Sequence, residues 1–506
     1  MKNNSLKIRL LTTLMVLSIT FKPIHAQFVS ASQTDLTGGI YVTPYNTGND
    51  VYNDAAFSYS VSVCGDVNNS SPSLVWDVFD GSTHEIGSIV LAATNDIYHT
   101  DVCLVQFNGD VFAEVVFYAG GTAQAVYLQE YIWGNPGGIW GFYLNNSTFW
   151  SAAGVNTVNI DGDHQGNFAL TYNDSSDDLF TVTGNCISFN INNSGNTVTL
   201  PNKGKVPDVS IFNDGSALEV HYVYVGTSNT TLEVESYSFT ALAGGSSAIF
   251  TSPLSANAAE GYYYDMPRIA SPNSTGSATD FTVVVQETNH SNSDQIVGFN
   301  NTTGPSPIVY NDGAYSPYYD LTSVPNKRPV VTYDNQGNTW VGWTYDDYSS
   351  GLFYANAITP LIIKCDYNGV PYGSSNYWVV PVGIGDGAAV DQLSLAGRYG
   401  RDQLLLTYYN VGNYFDLNYK EIQPTTATSC RTAQDVLSNS NNNTDAPGFY
   451  LLKIYNLTGQ LVHQELTTEL NLHTWQQQIN LQPALYVYKI NNSAGQTIAT
   501  GKLSKI

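Results

Sequence analysis

The chain has 506 residues, more than one ordinary domain holds and enough to bury two or more cores. Charged residues make up 12%, and 42 acids against 18 bases leave a formal net charge of −24. Without a basic face, nucleic acid and anionic membranes are poor partners; a polar, acidic surface of this kind suits an extracellular protein, with calcium among its natural counter-ions.

Residues 1–26 have the pattern of a secretory signal peptide. Lys2, Lys7 and Arg9 give a positive start, Leu10 to Ile19 is mostly apolar, and Ala26 closes the segment with a small residue. The apolar run is too short for a stable membrane helix, so the expectation is export, with Gln27 as the new N-terminus. The five cysteines, Cys64, Cys103, Cys186, Cys365 and Cys430, show no CxxC or Cys/His spacing for a metal or redox site. Cys64 and Cys103 could form a disulfide, or pack as buried thiols.

Residues 27–423 are read as a repeat region. Its clearest unit is Asn326 to Asp347: a strand from Arg328 to Tyr333, a polar turn at Asp334–Asn338, and a second strand from Thr339 to Tyr345. Looser copies are expected at Phe57–Phe79, His99–Tyr118, Thr157–Asp174, Val206–Tyr224, Met266–Gln286, Lys327–Asp346 and Asp391–Asn410. Their starts lie roughly 40 to 65 residues apart, near the length of a propeller blade. Further strand-like runs follow several of them, at Ala125–Trp133, Leu179–Phe189, Thr231–Phe239, Phe353–Cys365 and Phe415–Ile422, so each repeat can supply a four-stranded sheet. Such a sheet is apolar on both faces. Packing sheets radially and closing the ring buries both, which predicts an all-β propeller of about seven blades. A stack of β-sandwiches is the competing arrangement.

The texture changes after Gln423. Residues 424–446 hold a Thr-rich connector and the polar tract Ser438–Thr444, and 447–506 hold several short strand patterns. The segments KIYNLTGQLV at 453–462, INLQPALYVYKI at 479–490 and GQTIATGKLSKI at 495–506 closely resemble the type A C-terminal sorting domain of the type IX secretion system of Bacteroidetes-type bacteria. The residues that carry the likeness include Lys453, Tyr455, Gly459, Tyr486, Lys489, Gly495 and Lys502. Departures are Ser429-Cys430-Arg431 in place of the usual prolines and Ala484 in place of a Gly. The resemblance implies a small Ig-like β-sandwich that is recognised by the type IX machinery and directs the passenger to the cell surface or medium.

Candidate chemistry is sparse. Asp161-Gly162-Asp163-His164-Gln165-Gly166 is half of a calcium loop, but position twelve is Tyr172 rather than a bidentate Glu. Calcium is thus the only cofactor considered, with Asp161 and Asp163 as candidates. Asp334–Trp340 resembles the Asp-box of sialidase-type propellers with one extra residue, and that box is a folding element. Glu114, Glu219, Glu233, Glu235 and Glu287 are available for a glycosidase pair, but no hydrolase or phosphate-loop motif is present. Aromatic clusters, among them Tyr262-Tyr263-Tyr264 and the tryptophans Trp133, Trp140 and Trp150 around a Gly-rich insertion, suit stacking on sugars or proteins. Several repeats place a polar residue beside the first apolar strand position: Asp101, Asp208, Arg268, Arg328 and Asp391. In a propeller these would gather at one mouth of the channel, with Tyr264 nearby for stacking. The expectation is an exported binding protein for polysaccharide or a surface partner; the alternative is a glycoside hydrolase or sialidase-like enzyme on the same scaffold.

Overall fold

The computed structural model describes residues 34–35, the strands and most turns between 47 and 422, and the strands between 450 and 505. The segment 1–26 and the connector and polar tract after 422 lie outside the described residues. All described elements are strands, and no described helix is long and apolar enough to cross a membrane. The chain divides into two compact units, Ser30–Pro424 and a second made of Met1–Val29 with Thr425–Ile506.

Ser30–Pro424 contains seven four-stranded antiparallel sheets. Blade 1 runs Thr47–Asn53, Ser58–Cys64, Ser73–Phe79, His84–Val90. Blade 2 is Ile97–Phe107, Asp110–Ala119, Ala125–Gly134, Gly141–Ser151. Blade 3 is Val158–Gly162, Asn167–Asn173, Leu179–Asn185, Thr197–Leu200. Blade 4 is Gly204–Asn213, Leu218–Gly226, Thr231–Ser238, Thr251–Asn257. Blade 5 is Tyr263–Ala270, Thr282–Thr288, Gln295–Asn300, Gly304–Val309, and blade 6 is Val330–Tyr333, Thr339–Asp346, Ile358–Lys364, Tyr377–Val379. Blade 7 is Val390–Gly397, Leu404–Asn410 and Asp416–Ile422, completed on its outside by Thr34–Asp35 from the other end of the chain.

The first strand of each blade neighbours that of the next, and blade 7 neighbours blade 1, so the ring closes. The apolar cores lie between sheets, as the two-faced pattern of the strands requires. One joins Val63, Leu74 and Trp76 of blade 1 to Val115, Phe117 and Trp133 of blade 2. Another joins Val116 and Leu128 to Phe168 and Val182 of blade 3. Blades 4 and 5 share Val223, Val234, Phe281 and Val283, blades 5 and 6 share Val284, Tyr310 and Trp343, and Val51 meets Ala396 and Leu405 across the closure. Each blade therefore shields its neighbours' apolar faces.

The expected hairpins at 99–118, 157–174, 206–224, 266–286, 327–346 and 391–410 correspond to the two inner strands of blades 2 to 7. The Phe57–Phe79 copy is a correction: it covers the second and third strands of blade 1, and the innermost is Thr47–Asn53. That strand, TGNDVYN, has little β-branched content, so composition hid it; its place is set by pairing with Ser58–Cys64 and by the neighbouring blades. Cys103, Cys186 and Cys365 are buried free thiols, which removes the Cys64–Cys103 pairing.

In the second unit the described strands form one antiparallel sheet in the order Leu461–Thr467, Tyr450–Tyr455, Ala484–Asn491, Thr497–Lys505. Lys453 stands opposite both Gln464 and Lys489, Tyr455 opposite Val487, Tyr486 opposite Leu503 and Lys502 opposite Val487. Gly459 and Gly495 lie outside the described residues.

Candidate functional site

The innermost strands line a central cavity of about 140 Å³. Its polar lining comes from a repeated local pattern, an Asp followed by a small or β-branched residue: Asp50-Val51, Asp101-Val102, Asp161-Gly162 and Asp208-Val209. Asp50, Asp101 and Asp161 each take an amide from the following residue and another from the next blade, and Asp208 is held by the next blade. Asp50 accepts Val51 N–H and Leu104 N–H, both at 2.7 Å. Asp101 accepts Val102 N–H at 2.9 Å and Ile160 N–H at 3.0 Å. Asp161 accepts Gly162 N–H at 2.9 Å, Ile211 N–H at 2.8 Å and the Ser210 hydroxyl at 3.0 Å. Asp208 accepts Ile269 N–H at 2.9 Å and faces the Arg268 guanidinium at 3.4 Å. On the other side of the ring Gly397 N–H donates to Thr332 Oγ1 at 2.9 Å, and the Ser394 hydroxyl to Asn49 Oδ1 at 2.7 Å.

Burial dominates the electrostatics. It pushes the Asp50 and Asp161 carboxyls up to about 7, and that of Asp101 to about 8, against the opposing pull of the backbone amides. Asp208 is raised by burial too, with Arg268 pulling it back. His164, stacked on Tyr52 with ring centroids 5.4 Å apart, is lowered by burial while Asp161 and Asp163 pull the other way.

Three of the predicted ligand residues, Asp101, Asp208 and Arg268, do converge on this cavity. They are engaged inside the protein: Arg268 Nη1 donates to Asn159 Oδ1 at 2.5 Å as well as meeting Asp208. Arg328 lies outside the described residues. Asp391 is a correction. A register shift separates it from Ser394, as similar shifts separate Lys205 from Asp208 and Asp265 from Arg268, so Ser394 holds the equivalent channel position. Tyr264 is also corrected: it is buried, its hydroxyl donates to the Asn257 carbonyl at 3.1 Å, and its ring meets Phe299 edge-on. It pins blade 5 to blade 4 and offers no face to a ligand. Sequence reasoning missed Asp50, Asn159 and Ser394; the Asp50-Val51 pair, repeating at 101–102 and 208–209, was a usable signal.

The calcium candidates are engaged by donors. Asp163 accepts Gln165 N–H and Asn167 N–H and the amides of Asn167 and Asn213, while Asp161 is held as above. Ringed by N–H groups, these oxygens have the wrong polarity around them for a cation. Among the described residues, no cluster of three or more His, Cys, Asp or Glu is placed to hold a metal. The Asp-box-like turn is structural as well: Asp334 accepts Trp340 Nε1–H at 2.9 Å, Asn338 N–H at 2.8 Å and the Asn338 amide.

Of the candidate glycosidase carboxylates, Glu114 faces Glu130, which sequence reasoning did not single out, across blade 2, and both are fully enclosed between blades 2 and 3. Burial, with Glu130 beside it, drives Glu114 well above the carboxylate range. Glu235 is taken by Lys203, Tyr224 and Tyr237, and Glu287 by Ala259 N–H and Gln295.

Open aromatic surface lies elsewhere, at the outer margin between blades 1 and 2. Trp133 is nearly buried, and Trp140 stacks on it at 5.7 Å with planes 17° apart while remaining 40% exposed. Phe57 sits 5.7 Å from Trp140, and Phe142 packs between Trp133 and Trp76. The turn that delivers Trp140 passes through Gly137 and Gly138, both at positive φ, which a side chain would strain.

A closed ring of radially packed four-stranded sheets defines this unit as a β-propeller. No protein-family model matches the chain, and no curated protein matches it. Similarity to solved structures is at low identity. AofleA from Arthrobotrys oligospora shares 11% identity, covering 70% of this chain and 90% of that one, with a TM-score of 0.40. The Aleuria aurantia lectin bound to α-methyl-L-fucoside shares 10%, over 68% and 98%, with a TM-score of 0.38. The Trypanosoma rangeli sialidase bound to the inhibitor DANA shares 8%, over 83% and 67%, with a TM-score of 0.39.

Proposed function

We propose that the chain is an exported binding protein whose propeller recognises carbohydrate and whose C-terminal part, 447–506, is a type IX sorting domain. The observation that carries the binding reading is the Trp133–Trp140 stack, an indole held flat against a buried partner and still 40% exposed. Such a ring is pre-ordered, so it offers a sugar's C–H face a surface at small entropic cost. The central cavity is a poorer seat. At about 140 Å³ it falls below the ~300–1,000 Å³ of typical small-molecule sites, and its aspartates accept backbone amides of the blades. Turnover by the Glu114–Glu130 pair would require opening the core between two blades.

The sorting reading is supported by the residues 453–462, 479–490 and 495–506 and by the antiparallel sheet they contribute to. Glycan-array binding by the purified protein, lost in Trp140→Ala and unaccompanied by glycan cleavage, is the expected result; cleavage of a bound glycan overturns the binding-only reading. Deleting 430–506 is expected to leave a folded propeller in the periplasm, and efficient surface delivery of that product overturns the sorting assignment.

A further inference from the structure

The aromatic platform continues along the edge of blade 2. The last strand, Gly141–Ser151, pairs Phe142 with Trp133, Leu144 with Tyr131 and Phe149 with Tyr127. Asn145 is an extra residue in that register, and its insertion returns Phe149 to the face that carries Phe142 and Leu144. Phe149 is 60% exposed and stands on Tyr127 at 5.6 Å, which stacks on buried Phe117 at 5.2 Å and 11°. Trp140 and Phe149 are thus two solvent-open rings, each backed by a rigid aromatic pile. The residues they stand on, Trp133 and Tyr127, are six positions apart in one strand, roughly 20 Å at ~3.3 Å per residue, with exposed Ser147 on the same face between them, while the Asn145 amide donates to Glu130.

Charge narrows the occupant. No Lys or Arg occurs between Lys22 and Lys203, while seventeen Asp and Glu fall in that stretch. Blades 1 to 3 therefore have no cation of their own with which to hold a carboxylate, sulfate or phosphate, and their field repels anions. Two separated rings with the Ser147 hydroxyl between them fit a repeating chain of neutral rings better than one terminal sugar.

Resting on the carbohydrate reading above, we infer that the outer edge of blade 2, from Trp140 to Phe149, binds an internal stretch of a neutral polysaccharide laid along the strand Gly141–Ser151. The full chain is tested by affinity electrophoresis and calorimetry against soluble β-glucan, mannan and xylan. Polysialic acid serves as the anionic control, and oligosaccharides of two to ten units come from whichever polymer is retained. The expected result is retention of a neutral polymer, with affinity that climbs with oligomer length and then levels. Phe149→Ala should weaken the polymer about tenfold while leaving the disaccharide unchanged, and Trp140→Ala should weaken both; Phe149→Ala should melt like the parent, and Trp140→Ala, which uncovers Trp133, should still unfold cooperatively. A disaccharide bound as tightly as the polymer, or a Phe149→Ala variant with full polymer affinity, overturns the extended site while leaving carbohydrate recognition standing. Preference for polysialic acid overturns the neutral assignment. Retention of none of the glycans overturns both readings.

Discussion

The carboxylate of Asp101 in blade 2 accepts the backbone N–H of Ile160 in blade 3 at 3.0 Å, while its other oxygen takes Val102 N–H at 2.9 Å. One side chain thus satisfies amides on two sheets. Asp50 and Asp161 do the same at the neighbouring gaps, and Asp208 reaches Ile269 N–H and Arg268 of blade 5. Apolar packing between blades is non-directional; these bonds add a fixed radial register to it.

Asp101→Asn keeps the size of the side chain but replaces one acceptor oxygen with an NH₂ group. One of the two amides then faces a donor and goes unsatisfied in a buried place. The expected cost is about 1–3 kcal/mol, read as a lower urea midpoint with an unchanged slope. An unchanged midpoint would show that the bridge contributes nothing to stability.

The same aspartates make stability depend on pH. Their folded-state values, about 7 for Asp50 and Asp161 and about 8 for Asp101, lie above the ordinary 3.8. The folded state therefore binds more protons than the unfolded chain between those limits, and stability falls as pH rises through 7 and 8. His164 acts in the opposite sense, because burial lowers it and stability is lost as pH drops below its ordinary 6.5. Between about pH 6.5 and 8 the aspartates should dominate. Unfolding free energy at 6.5 should exceed that at 8, with a smaller difference in Asp101→Asn; a flat profile would contradict the raised carboxyls.

Alternation and turn chemistry made the propeller legible, because two-faced strands punctuated by Asp, Asn and Gly turns recur along the chain. The channel positions of Asp101, Asp208 and Arg268 were legible for the same reason: each directly precedes a β-branched residue, Val102, Val209 or Ile269, of an inner strand. Asp391 was misplaced because a bulge has no signature in sequence and moves the channel position on to Ser394. Tyr264 was misread by one step of parity: Tyr263 points out and Tyr264 in. That the channel charges are consumed by neighbouring blades depends on contacts between residues some 50 to 60 positions apart, as with Asp101 and Ile160, which local pattern does not reveal.

Gly87 in the outer strand of blade 1 lies flat against Trp76. A Cβ there would fall 2.6 Å from Cζ2 and 2.8 Å from Cε2 of the indole. Gly87→Ala must displace Trp76, which also touches Trp133 and Phe142, and a cost of about 1–3 kcal/mol is expected for such overpacking. The intrinsic tryptophan emission should shift as the cluster rearranges. Ser88→Ala, one residue on and pointing away, is the control; equal effects from the two would mean that the contact with Trp76 is not the cause.

The turn of blade 6 gives the last test. Asp334 is buried and gathers Trp340 Nε1–H, Asn338 N–H and the Asn338 amide, while Lys364 stands 3.9 Å away and 5.4 Å above the Trp340 ring. Trp340→Phe removes one donor and keeps most of the apolar bulk, so a loss of about 1–2 kcal/mol is expected from the hydrogen bond and the space left by the smaller ring. Asp334→Ala removes the acceptor for all three donors and strands the Trp340 N–H in the core, so the expected loss is larger, about 2–4 kcal/mol. The double variant should cost less than the sum of the two, because the Trp340–Asp334 bond is lost in either single change. Glycan retention at 25 °C should survive in both variants, since the turn lies in blade 6, three steps round the ring from blade 2. Loss of retention in a variant that still melts cooperatively would instead place the binding site in blade 6.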